Sequence, residues 1–152
     1  MPAKKKSAKK EEAEIKEAAK EARYFYGLGK RKTAIAQVRL YPMEKNETGI
    51  MINERKMDEY FTIGRHQDLV KSPLPLAGQE TKFDVSAKVY GGGISSQAEA
   101  IRLGIARAMV KFNEELKKPL RDRGYLTRDS RKVERKKPGL KKARKSPQWA
   151  KR

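Results

Sequence analysis

Cysteine is absent from the 152 residues, so neither a disulfide nor a thiolate metal site can form. Histidine occurs once, at His66. With no thiol and no second imidazole to join it, His66 reads as a surface residue rather than a ligand or a catalytic base. Apolar runs are short, and none reaches the ~20 residues of a membrane helix or the ~7–15 of a signal-peptide core. A soluble protein that does not use that export route is expected, with no membrane partner. Aromatics are scarce at 7%, which supports only a small core. Acids are scarce too: 19 Asp and Glu face 38 Lys and Arg. Asp68, Asp84 and His66 assemble into no carboxylate pair, nucleophile with its base, or metal cluster. The reading is therefore a non-enzyme without cofactor, metal or small-molecule substrate.

What is present is positive charge, unevenly placed. Residues 128–152 hold 12 Lys and Arg against 2 acids, Asp129 and Glu134, and so supply +10 of the formal +19. Residues 1–20 contribute +3 and residues 21–127 only +6, so the middle is an ordinary, mildly basic domain. The terminal segment lacks the apolar residues of a core, Pro138, Gly139 and Pro147 interrupt any helix, and its like charges repel. It reads as an extended arm, reaching roughly 80 Å when drawn out at ~3.3 Å per residue. Solubility is served by mixed or acidic charge, whereas a cationic excess binds polyanions. The organisation expected is a leader at 1–22, a globular domain at 23–127 and an arm at 128–152.

The leader is built almost wholly of Lys, Glu and Ala with no apolar stripe, and reads as disordered or as a frayed helix. It has no Arg and carries Glu11, Glu12, Glu14 and Glu17, unlike a mitochondrial transit peptide. Ala34, Ala36, Val38 and Leu40 alternate with Ile35, Gln37, Arg39 and Tyr41, as on a half-covered strand that Pro42 would stop. Just before it, Gly27 to Thr33 brings Lys30, Arg31 and Lys32 to the start of that strand. The spacing is not that of a phosphate-cradling loop, and cations on flexible backbone suit contact with RNA phosphates. A polar turn at Lys45 to Gly49 and a short strand at Ile50 to Asn53 predict a hairpin. Asp58 is placed to cap a brief helix at 59–61, and a second helix is predicted from Gly64 to Lys71, before Ser72-Pro73. Thr81 to Tyr90 is a strand with Phe83, Val85, Ala87 and Val89 inward. Gly91-Gly92-Gly93 turns the chain, and Ser96 with Glu99 has the form of a capping box. The helix that follows buries Ile94, Ala98, Ile101, Ile105, Ala108, Met109 and Phe112, leaving Arg102, Arg107 and Lys111 off the stripe. A short helix from Glu114 is broken by Pro119, and Gly124 marks the end of the domain. The class is α+β: a single two-layer domain, a mixed sheet with helices packed on one face, plus the extended basic arm.

The runs Tyr26 to Arg39 (YGLGKRKTAIAQVR) and Gly91 to Ala108 (GGGISSQAEAIRLGIARA), with the tail from Leu126 to Arg152, resemble in that order the family of the ninth protein of the small ribosomal subunit. The final Lys151-Arg152 resembles the bacterial and organellar branch. The resemblance implies a sheet-and-helix domain like the second domain of the fifth small-subunit protein. It implies a place in the small-subunit head of a ribosome, a cytoplasmic one of bacterial type or else an organellar one, bound to small-subunit rRNA and to neighbouring ribosomal proteins. It also implies that the arm reaches tRNA in the peptidyl site, where Lys151 and Arg152 approach the anticodon-loop backbone.

The residues expected to meet rRNA are Lys30, Arg31, Lys32, Arg128, Arg131, Lys132, Arg135, Lys136, Lys137, Lys141, Lys142, Arg144 and Lys145, with Lys151 and Arg152 expected to meet tRNA. Arg grips phosphate with two hydrogen bonds and Lys supplies diffuse charge, and neither reads sequence through the backbone. Trp149, the one aromatic of the arm, suits a base, a ribose or a crevice of RNA or protein. Two other readings fit less of the chain. A basic subunit of a ribonucleoprotein enzyme such as ribonuclease P accounts for the domain. A DNA-compacting protein would spread its cations over the folded surface, which the mild +6 of the middle argues against.

Overall fold

The computed structural model describes residues 24–43, 49–77 and 82–150. The leader, Lys45 to Thr48 of the expected turn, Thr81, Lys151 and Arg152 lie outside the described residues. Five strands form one sheet: β1 (Phe25–Arg31), β2 (Ala34–Met43), β3 (Ile50–Ile52), β4 (Arg55–Lys56) and β5 (Lys82–Tyr90), in the order β1-β2-β5-β3-β4. Among the described residues, four α-helices accompany it: α1 (Met57–Tyr60), α2 (Gly64–Lys71), α3 (Ile94–Phe112) and α4 (Lys117–Asp122). The α+β class and the mixed sheet with helices packed against it are as expected.

The stretch expected to be a flexible approach to β2 is itself a strand. β1 and β2 form an antiparallel hairpin, with Gly27 opposite Val38, Gly29 opposite Ala36 and Arg31 opposite Ala34. Lys32 takes the left-handed conformation in the turn, at φ 51°. Gly27 and Gly29 disguise the strand because glycine is poor in strands, yet here it is required. Both lie on the covered face against α3. A Cβ on Gly27 would overlap the carbonyl oxygen of Gly104, and one on Gly29 that of Ala100. Gly104 in turn lies so close to β2 that its own Cβ would stand 2.5 Å from Val38 Cγ2. Helix and strand thus meet along a seam with almost no side chains between them, and Ala36, Ala98, Ala100 and Ala108 keep it thin.

β2 runs through Pro42 to Met43 instead of ending there. β1 gives out at Phe25, opposite Leu40, so Pro42 lies where β2 has a free side and a missing N–H is tolerated. The expected β2–β3 hairpin does not form. Both sides of β2 are taken, by β1 and by β5, and β3 pairs instead on the far side of β5, parallel, with Ile50 opposite Val85. Asn53 closes the turn into β4 with Glu54, both at positive φ (46° and 68°), and its side chain completes the ladder. Its amide donates to the Val89 carbonyl at 3.1 Å, and the Val89 N–H donates back at 2.8 Å.

Three helix expectations are corrected. Asp58 lies in the first turn of α1, which starts at Met57 after Lys56 with no side-chain cap. The capping box does not form: Gly93 precedes α3, Ser96 is buried in the first turn, and Glu99 is drawn to a guanidinium instead. Pro119 does not break the short helix after Glu114–Leu116. It lies in the first turn of α4, where its absent N–H has no helical partner to lose. Gly124 ends α4 as expected, at φ 71°, with Gly124 N–H on Arg121 and Tyr125 N–H on Leu120. The buried face of α3 is wider than the predicted stripe, adding Ala100 and Gly104, which lie in the seam against β1, and Leu103 and Ala106, because α2 packs on the helix as well as the sheet. Ile94, expected inside, is 57% exposed at the helix start.

Gly29→Ala should destabilise the domain by about 2 kcal/mol or more, because the intruding methyl meets backbone that cannot swing aside. A urea melt should show a lower midpoint at unchanged slope. An unshifted midpoint would mean the seam is not as tight as described.

Candidate nucleic-acid interface

The three cations of the β1–β2 hairpin do different things. Lys30 faces away from the helices and Lys32 sits at the turn, both exposed. Arg31 points the other way, its side chain 12% exposed, and every arm of its guanidinium is engaged. Nε donates to Glu99 of α3 at 2.5 Å, Nη2 lies 3.1 Å from Asp129, and Nη1 donates to the Arg131 carbonyl at 3.1 Å. Glu99 reaches Arg31 because the glycine seam brings α3 against β1. Asp129 and Arg131 are the first residues of the arm. Arg31 therefore fastens the root of the arm to the domain, and the residues that do this were not foreseen as partners of one another.

Asp129 is tied locally as well. It accepts from the Arg131 N–H at 2.9 Å and from Arg131 Nη2 at 2.6 Å. The Arg131 side-chain bond, then its backbone bond, and then the charges of Arg131 and Arg31 hold this carboxyl well below the usual carboxylate range. The same carboxylate raises Arg131. Further along, Glu134 bridges Lys137 at 2.8 Å and Arg144 at 2.9 Å, and those two bonds lower its carboxyl. The bridge closes a turn over Pro138 and Gly139 (φ 77°), where Lys141 N–H donates to Lys145 at 2.7 Å. The two acids of the arm thus set its root and its one turn.

From Thr127 to Ala150 the chain forms no helix or strand, and its side chains stand largely in solvent. Arg128, Lys132, Arg135, Lys136, Lys141, Lys142 and Lys145 have no acidic partner among the described residues. Trp149 is 90% exposed. The family model described as Ribosomal protein S9/S16 matches residues 29–152. The chain belongs to this family. It is a structural, non-enzymatic protein of the small ribosomal subunit, ribosome-associated, and it binds rRNA alongside neighbouring ribosomal proteins.

Family membership makes rRNA the polyanion this protein binds. It also fits the quieter residues. His66 lies half-buried, its ring 5.9 Å from that of Phe61, and among the described residues no three His, Asp or Glu converge as a metal site would need. No described helix is long and apolar enough to cross a membrane. The arginines off the α3 stripe serve the domain: Arg107 donates to the Leu28 carbonyl of β1 at 2.7 Å, and Arg102 lies 5.4 Å over the Tyr125 ring.

Because its native partners depress the Asp129 carboxyl, the attachment is present above the unfolded aspartate pKa and is lost only as pH falls through the lower, folded value. Protection of the Arg131 amide, bonded to the Asp129 carboxylate, should therefore persist at pH 4, where an ordinary aspartate is about half protonated. Asp129→Asn should remove that protection at neutral pH while leaving the domain's melting temperature within about 2 °C. Loss of protection at pH 4 in the unsubstituted chain would contradict the arrangement.

Proposed function

We propose that the arm is the principal rRNA-binding element of this small-subunit protein. Arg128, Lys132, Arg135, Lys136, Lys141, Lys142 and Lys145 would grip phosphates, together with Lys30 and Lys32 of the hairpin. Arg131, Lys137 and Arg144 share their charge with Asp129 and Glu134 and act there chiefly by shaping the arm. Arg31, expected in the same set, acts from beneath by holding the root in place. The observation that carries this reading is an arm fastened at one end and otherwise bare, with a column of cations that its own domain does not neutralise. Such a segment lowers its electrostatic self-repulsion only by meeting a polyanion.

The finer assignment follows from the family resemblance of the three sequence runs. The protein sits in the head of the small subunit of a cytoplasmic ribosome of bacterial type. Its arm threads toward the peptidyl site, where Lys151 and Arg152 meet the anticodon-loop backbone of tRNA. Neither residue reads sequence there, since backbone contacts position without specifying.

Each phosphate neutralised contributes about 0.7–0.9 to the slope of log affinity against log salt. Deleting residues 128–152 should therefore flatten the slope for small-subunit rRNA by roughly 5 while leaving a folded domain. An unchanged slope would place rRNA binding elsewhere. Removing Lys151 and Arg152 alone should leave assembly of the subunit intact and shorten the residence of tRNA in the peptidyl site. Equal residence in trimmed and full subunits would count against a tRNA role.

A further inference from the structure

The face of the sheet turned away from the helices carries a chemistry that the arm does not. Register places its side chains in rows: Lys30, Ile35 and Tyr90; then Leu28, Gln37 and Lys88; then Tyr26, Arg39, Ser86 and Met51. The covered face alternates with these and is sealed, with Ala34, Ala36, Val38 and Leu40 at 0% exposure. The outer rows are open: Tyr90 is 56% exposed, Met51 48%, Ile35 38% and Tyr26 37%. Lys30, Arg39 and Lys88 stand among them with no acid on these rows, Asp84 lying one row further on, opposite Tyr41. An open face of a small sheet ordinarily carries polar side chains, so tyrosines, an isoleucine and a methionine there call for an occupant.

The charge decides what kind. A second copy of this chain would set one +19 molecule against another and three cations against three. A polyanion with flat apolar parts meets both features at once, because bases stack on tyrosine while phosphates pair with the cations between. We propose that this open face is a second RNA-binding surface, on which unpaired bases stack at Tyr90 and Ile35 while Lys30 and Lys88 hold the adjoining phosphates. The proposal deepens the rRNA-binding role and rests on it.

Tyr90 is singled out by what surrounds the other rings. Arg39 lies 5.2 Å over Tyr24, whose ring is also 5.9 Å from that of Tyr41, and Lys111 lies 5.7 Å over Tyr26. Among the described residues no ring or cation covers Tyr90. Lys88 lies two residues away on the same face, about 6.7 Å along the strand, and Ile35 and Lys30 follow across two strand spacings of about 4.8 Å. This corner is at the rim of the sheet where Arg31 secures the arm, Arg31 being opposite Ala34 and Ile35 opposite Tyr90. Arg31 holds the arm's root on the helix side of this rim, so RNA met by the first cations of the arm has only to pass around the edge to reach the stacking surface.

The test uses the full chain and a transcript of small-subunit rRNA. Tyr90→Ala should weaken binding about 5- to 150-fold at fixed salt, the range expected from losing one stacked base, with the salt slope unchanged. Tyr90→Phe, which keeps the ring, should bind within about 2-fold of the unsubstituted chain. The double variant Lys30→Gln/Lys88→Gln should lower the slope by about 1.4–1.8. Melting curves verify that each variant is folded, which the exposure of these side chains favours. Unaltered affinity of folded Tyr90→Ala overturns the proposal, and does so without touching the arm if deletion of 128–152 still flattens the slope. Intact rRNA binding with poorer incorporation into subunits also overturns it, since the face would then belong to a protein neighbour.

Discussion

The glycine seam between β1 and α3 is the constraint on which everything else depends. Close-packed interiors transmit position, and here backbone meets backbone, so the register of α3 on β1 is fixed to a fraction of a residue. That register puts Glu99 beside Arg31, and Arg31 in turn has two donors left for the start of the arm. A core assembled from Ala34, Ala36, Ala87, Ala98, Ala100 and Ala108 buries little area per residue. It compensates with proximity, and with the larger Phe61, Phe83, Leu40, Ile101, Ile105 and Met109 at its margins. Phe83 and Phe25 both meet Phe112 edge to face, at 5.1 and 5.4 Å, closing the end of the layer away from the hairpin turn.

The few acids matter more than the many bases for the shape of the arm. Surface ion pairs are weak because water and salt screen them, so the Glu134 bridge to Lys137 and Arg144 biases the turn at Pro138-Gly139 without locking it. Arg31 differs because it is mostly covered, and removing one partner would leave a poorly hydrated charge. One end of the arm is thus fixed and the remainder is left to be shaped by whatever surrounds it.

How much of this is legible in the sequence follows from how each residue signals. Strands with inward Val, Leu and Phe announce themselves by alternation, as β2 and β5 do, and a run of cations with prolines announces an arm. Gly27 and Gly29 signal the opposite of what they do, since their role depends on Gly104 and Ala100, over seventy residues away. Ser96 and Glu99 satisfy a local pattern, but a guanidinium brought in by tertiary packing outcompetes a backbone N–H for the carboxylate. Parallel pairing of β3 with β5 leaves no local trace either, because parallel partners share no turn. Of the candidate site, the identity of the arm's cations is plain from composition. Which of them are held by Asp129 and Glu134, and that Tyr90 and Ile35 share one open row, appears only once register is known.

A cationic arm alone makes a poor ribosomal component, and the reason is energetic. Counterion release rewards any phosphates equally, so affinity grows with every Lys and Arg while discrimination does not. Ordering the arm also costs about 1–2 kcal/mol per residue in backbone entropy, which rises with the length that has to be fixed. Fastening the root through Arg31 and Asp129 removes the first residues from that cost and sets the direction in which the rest must search. A rigid sheet face at the same rim loses almost no entropy on binding and depends on stacking, which tolerates salt. The two surfaces are therefore complementary in kind. Under the proposed assignment, the arm would gather RNA from a distance, and the sheet would accept only RNA whose unpaired bases lie where the fixed rows of β1, β2 and β5 can meet them.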